Sequence, residues 1–242
     1  MASLAPVLPP AAAKVPVFPR ALVKPAPPTI AFGKEQWGKY LGEVGEEPPL
    51  PSDIHQILQS PCPFFPGKKV EETHLLTLIP KTVNGKPLTL DSLEELVKHP
   101  KQGQPTRFSS YSDEIKKEYG RKFPERSYWT LMTRDVIPAS RGKIYNDQVQ
   151  LLKKYSQKAQ VSYEMPKLLE AATSILTEYF RTGERLYTYS PGTFTRCQEG
   201  FSEHRSSFVV GGFLEGGLAI LCTDFRVGLA RSYDGLGGLR KF

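Results

Sequence analysis

The sequence predicts an α+β protein in which helices are followed by a small irregular antiparallel sheet. Three observations carry that reading. Prolines crowd the front of the chain, eleven of the 22 falling before Ser52 and none after Pro191. Apolar residues recur at helical spacing through the middle. Glycines gather at the back, nine of the 20 from Gly200 onward, between short apolar and aromatic runs of the kind that form tightly turned strands.

The first segment, residues 1–30, holds Lys14, Arg20 and Lys24, no acid, and repeated X-Pro steps. Proline lacks an N–H and biases its predecessor to extended angles, so this is expected as a disordered or polyproline-like arm. Residues 31–51 carry Trp37, Tyr40 and Leu41 ahead of Glu43, Glu46, Glu47 and PPLP, and are expected as an extended segment that docks by its aromatics. A single α+β domain is expected from residue 52 to 242.

Within that domain SDIHQIL reads as a short helix capped by Ser52 or Asp53 and stopped by Pro61. HLLTLIP reads as a buried strand, and VNGKPLTL contains a turn at Asn84-Gly85. Asp91 is expected to cap DSLEELVKH, with Glu94 closing a capping box. YSDEIKKEYG is a short helix ended by Gly120, and YWTLMT is a second, central strand. Two longer helices follow. Residues 145–158 repeat Val149, Leu152 and Tyr155, and residues 166–180 carry a stripe of Leu168, Leu169, Ala172, Leu176 and Tyr179 that ends at Gly183. RLYTYS, TFTRC, SFVVGGF, GLAILC and FRVGLA are then the short β segments, packed onto the 166–180 helix.

Composition narrows the function. No apolar run approaches the roughly 18 residues that span a bilayer. Pro6, Pro9 and Pro10 break the only N-terminal apolar stretch, and Lys14 and Arg20 follow it, so no Sec-type signal is expected. Three widely spaced cysteines, Cys62, Cys197 and Cys222, fit a reducing compartment rather than a disulfide framework. His55, His74, His99 and His204 have no ligand-spaced neighbours, so neither a metal nor a cofactor is expected. The glycine pairs 211–212, 216–217 and 237–238 open no helix and do not make a phosphate loop.

The nearest approach to a catalytic centre is Cys197 with His204, flanked by Glu199 and Asp224. Cys197 sits at a strand end, away from the helix N-terminus that usually lowers a thiol's pKa, and a cysteine-dependent enzyme is the alternative, not the leading, expectation. Basic clusters occur at Lys116, Lys117, Arg121, Lys122 and Arg126 and at Lys153, Lys154 and Lys158. Glu114 and Glu118 dilute the first and neither shows a known module. Nucleic acid is therefore not the expected partner, and a nonspecific anionic-surface binder is a further alternative, in line with the net charge of +7. The aromatic and arginine-rich tail points instead to a protein partner. Tyr189, Phe194, Phe225, Arg226, Arg231 and Tyr233 lie on short strands and loops, and Tyr and Arg carry much of the binding energy at protein interfaces.

The blocks WGKYLGEVGEEPPLP, ILQSPCPFFPGKKVEETHLLTLIPKTVNGKPLTL, WTLMTRDVIPASRGKIYNDQ, YEMPKLLEAATSILTEYFRTGERLY, TRCQEG, VVGGF and GLGGLRKF resemble a repeated family of amoeba-associated chlamydiae, over about residues 32–242. Some members carry an F-box-like segment upstream, which implies a link to host ubiquitin ligases; the first thirty residues here show no F-box. The resemblance implies an effector or adaptor of an intracellular bacterium, in the bacterial cytoplasm or delivered to the host cytosol, with a host protein as partner. A second resemblance is to the C-type-lectin-like and formylglycine-generating-type layout, in which a helix such as YEMPKLLEAA precedes an irregular sheet and the chain ends in a Gly-x-Arg strand. The Glu-Pro-Asn and Trp-Asn-Asp motifs of calcium-dependent lectins are absent, so sugar binding through calcium is not implied.

Overall fold

The computed structural model describes residues 28–201, 206–223 and 231–242. The expected arm therefore lies outside the described residues as far as residue 27. Next comes strand β1 (Ala31–Phe32), then helix α1 (Lys34–Tyr40). Residues 31–51, expected as an extended segment, contain a strand and a helix instead. Phe32 and Trp37 are buried and meet edge to face at 5.8 Å, and the Trp37 indole donates to the Leu78 carbonyl at 3.0 Å. Buried backbone has to find partners, so Phe32 pairs in a sheet and Trp37 is carried on a helix.

Helix α2 (Ile54–Gln59) follows Asp53 and ends at Ser60, ahead of Pro61; α3 (Val70–Thr73) leads into β2 (His74–Ile79), every residue of which is buried. Strands β3 (Thr82–Val83) and β4 (Lys86–Pro87) form a hairpin whose central residues, Asn84 and Gly85, have φ of 50° and 75°. Two left-handed residues in a two-residue loop match the right-handed twist of the strands. Helix α4 (Leu90–Lys98) begins two residues earlier than a cap at Asp91 predicts. Thr89 is the cap: its hydroxyl accepts from Ser92 N at 3.0 Å, and the Ser92 hydroxyl accepts from Thr89 N at 2.8 Å. Leu90 is fully buried in the first turn, which fixes the start, and Asp91 instead accepts a hydrogen bond from the Tyr111 hydroxyl at 3.2 Å.

Strand β5 (Phe108–Tyr111) is short, and α5 (Asp113–Tyr119) stops at Gly120, where a Cβ would stand 2.4 Å from the Lys116 carbonyl oxygen. Strand β6 (Tyr128–Thr133) is the expected central strand. Helices α6 (Tyr145–Ala159) and α7 (Leu168–Thr182) follow; α7 ends at Gly183 with φ of 77°. The tail supplies β7 (Phe194–Phe201), β8 (Ser206–Leu214), β9 (Gly217–Thr223), β10 (Asp234–Gly235) and β11 (Leu239–Lys241). RLYTYS is not a strand: Tyr187 has φ of 50°, and Thr188 and Tyr189 make only isolated bridges. FRVGLA lies outside the described residues.

The α+β class holds, with the strands divided between two main sheets. One has the order β1-β2-β6-β11 and the other β10-β7-β8-β9-β5. The antiparallel meander of β7, β8 and β9 is the irregular sheet expected of the tail, with breaks in register after Arg196 and Gly211. Its short edge partners, β10 and β5, run parallel. The last strand leaves it and completes the first sheet against β6. Helix α7 packs on β2 and β6 of one sheet and on β7, β8 and β9 of the other. Twelve of its residues are buried, as required of a helix covered all round. Among the described residues no helix is long and apolar enough to cross a membrane.

Candidate partner-binding groove

The strands of the C-terminal sheet sort their side chains by alternation. Phe208 and Val210 of β8 and Leu218 and Ile220 of β9 join the main core with α7. Their neighbours Val209 and Ala219 turn to the opposite face, where with Phe194 they form a separate apolar cluster edged by Leu221. The glycine pair of β8 makes this face possible. Gly212 has φ of 57°, and a Cβ there would stand 2.5 Å from Cζ of Phe194. The outer edge of the Phe194 ring occupies the space that a side chain at position 212 would fill.

Helix α6 covers one end of that outer face. There Arg196, almost fully buried, lies 3.7 Å from the carboxylate of Asp234. It also donates to Gln148 Oε1 at 3.1 Å and to the Lys143 carbonyl at 3.2 Å. The Gln148 amide in turn donates to the carbonyls of Ser140 and Asp234, at 2.7 and 3.2 Å. Burial pulls the Asp234 carboxyl up from its ordinary range, and the neighbouring guanidinium opposes that rise.

The other end of the face is an open groove of about 780 Å³. Phe194 and Leu221 form its floor, and Tyr189, Pro191, Arg141 and Tyr233 its walls. Tyr189 is 60% exposed and Tyr233 39%, while Phe194 is buried and meets the Tyr233 ring edge-on at 5.9 Å. Arg231 is half-buried, with its guanidinium 5.9 Å from the centre of the Tyr233 ring. Arg141 fastens the walls together: it donates to the Gly192 carbonyl at 2.7 Å, to the Thr193 hydroxyl at 2.7 Å and to the Tyr233 carbonyl at 3.3 Å. Of the residues nominated from sequence, Tyr189, Phe194, Tyr233 and Arg231 therefore come together. Phe225 and Arg226 lie outside the described residues.

Cys197 belongs to the other side of the sheet. It is fully buried in the main core, its Sγ 3.9 Å from the Thr195 carbonyl, and burial pushes the thiol far up, with Glu199 and Glu170 adding to the effect. That is the reverse of what thiolate chemistry needs. His204 and Asp224 lie outside the described residues.

Three further ionisable sites lie at the two ends of α7 and on β2. At the start of α7, buried Glu170 accepts from the Tyr128 hydroxyl at 2.5 Å and from Lys241 Nζ at 2.9 Å, while Lys241 also reaches Glu164 at 2.7 Å. Beside it Glu199 accepts from Leu168 N at 2.9 Å, and burial raises its carboxyl to about 6. At the other end of α7, Glu178 pairs with Arg134 and Arg181. Each of these carboxylates already has a cation or a backbone N–H, and each ties α7 to a neighbouring strand or turn. The third is His74 on β2, buried against Phe64 and Tyr163, with Nδ1 2.9 Å from the Thr73 hydroxyl. Burial lowers its imidazole to about 3, so it is neutral. Among the described residues no group of His, Cys, Asp and Glu could hold a metal ion. The basic residues of both clusters are exposed, and Lys122 reaches Glu118 at 4.0 Å.

No family model matches the chain, and comparison with curated proteins and with solved structures gives no match.

Proposed function

We propose that the protein is a non-enzymatic recognition module that takes a segment of a partner protein into the groove between Tyr189 and Tyr233. The observation that carries this reading is the pairing of an apolar floor, Phe194 and Leu221, with walls of exposed tyrosine and proline and the half-buried Arg141. Exposed aromatics around a desolvated pocket are the residues on which protein interfaces concentrate their energy. The walls are fixed in place by Arg141, so the groove binds without first having to order itself.

The sequence resemblance to the amoeba-associated chlamydial family supports a host protein as the partner, and an effector or adaptor as the role. The C-type-lectin-like layout is supported by α7 leading into β7, β8 and β9 and by the chain ending in β11. The test is paired affinity capture from host-cell lysate with the full chain and with a Tyr189→Ala/Tyr233→Ala variant of equal stability. A protein retained by the first and lost from the second is the expected result. Identical retention by both would refute the groove as the recognition site.

A further inference from the structure

We propose that the segment this groove accepts is acidic, with an apolar side chain on the Phe194 floor and carboxylates reaching Arg231 at one end and Arg185 at the other. This rests on the recognition reading above and adds the chemistry of the partner.

Pro191 and Arg141, which wall the groove, also line a second cleft of about 400 Å³ that holds Arg185. The charges around the two are unequally satisfied. Arg134 is spent between Glu178 and Glu184. Arg141 is spent on the Gly192 and Tyr233 carbonyls and the Thr193 hydroxyl, with Asp135 at 3.9 Å. Arg185 and Arg231 are different: among the described residues neither forms an ion pair. Arg185 lies over the Tyr179 ring at 5.1 Å, and its Nε is buried without a hydrogen-bond partner. Arg231 lies over the Tyr233 ring; it acts on the Asp234 carboxyl from a distance, but the contact at 3.7 Å is made by Arg196.

Among the described residues no acid lines the first groove. The acids of the second cleft are engaged: Glu184 with Arg134, Asp135 with Arg141, and Glu72 with the Lys69 backbone N–H. A basic or neutral occupant would leave both guanidinium groups without a direct ion pair. An acidic one would complete two charge-assisted contacts, and stacking on tyrosine holds each cation ready for them. The chain's net charge of +7 draws the same class of partner from a distance.

The test uses the full chain and three short fluorescein-labelled peptides that alternate leucine and tyrosine with glutamate, with serine or with lysine. Fluorescence anisotropy should show the glutamate peptide binding about tenfold or more tightly than the serine peptide, and the lysine peptide weakest. Arg231→Gln should weaken the glutamate peptide several-fold and leave the serine peptide unchanged. Arg185→Gln should do the same; because Arg185 also packs on Tyr179, its variant counts only with an unchanged melting temperature, and Arg231→Gln carries the test if it does not fold. Equal binding of glutamate and serine peptides, both lost in Tyr189→Ala, would overturn the acidic preference and leave the groove reading standing. Glutamate-peptide binding untouched by Arg231→Gln and Tyr189→Ala would place it on another basic surface and overturn the proposal. So would no binding of that peptide up to roughly millimolar concentration.

Discussion

The two faces of the C-terminal sheet are made from alternate residues of the same strands, yet they end in opposite states. On the inner face Phe208, Val210, Leu218 and Ile220 close against α7. On the outer face Phe194, Val209 and Ala219 form a cluster too small to make a core, sealed at one end by α6 and open at the other between Tyr189 and Tyr233. What separates them is the partner each face is given. A helix buried on all sides satisfies the inner face. The outer face receives a helix over Arg196 and, beyond it, only the side chains of two loops.

That contrast can be broken at several points, and the largest effect belongs to the inner face. Phe208→Ala removes a fully buried ring from the α7 side and should cost about 3–5 kcal/mol in denaturant unfolding, or prevent folding. Gly212→Ala should come next. The left-handed backbone and the Phe194 ring both oppose a Cβ, so a loss of about 1–3 kcal/mol is expected, with the groove floor displaced.

Acid and base should also act on the interior rather than the groove. His74 is held neutral by burial at about 3, below its ordinary 6.5. The unfolded chain therefore binds the extra proton, and the stability due to neutral His74 is complete above pH 6.5 and lost as the pH falls toward 3, by a few kcal/mol at most. Glu199 has the opposite sign. Raised to about 6 from 4.5, it holds its proton longer when folded, so its contribution is present below pH 4.5 and lost as the pH rises through 6, by up to about 2 kcal/mol. Urea unfolding across this range should lose its acid-side decline in His74→Phe. In Glu199→Gln it should lose the smaller opposing slope, because Gln can still accept from Leu168 N.

The smallest effect on stability is expected where the effect on binding is greatest. Tyr189→Ala, at an exposed wall, should change unfolding by no more than about 0.5 kcal/mol while abolishing partner capture. A destabilisation as large as that of Phe208→Ala would mean that Tyr189 holds the fold rather than a partner.

Much of this was legible from sequence because it is local. The stripe through Leu168, Leu176 and Tyr179 marked α7, the apolar runs marked β2 and β6, and Asn84-Gly85 marked the hairpin. The division into two sheets was not, since it depends on β11 finding β6 across more than a hundred residues. The α4 cap went to Thr89 over Asp91 because burial of Leu90 decided the start, which spacing alone does not reveal. At the groove, composition alone nominated Tyr189, Phe194, Arg231 and Tyr233. Arg141 was missed because its role is to bond backbone carbonyls brought close by folding, and Arg196 because its partners Gln148 and Asp234 lie on other elements.

The most direct measurement is amide hydrogen exchange on the full chain, alone and with the protein it captures. Slower exchange at residues 187–194 and 231–235, with β2 and β6 unchanged, is the result expected of a partner seated between Tyr189 and Tyr233. Protection confined to the basic residues of α5 and α6, with those two segments exchanging as before, would contradict it.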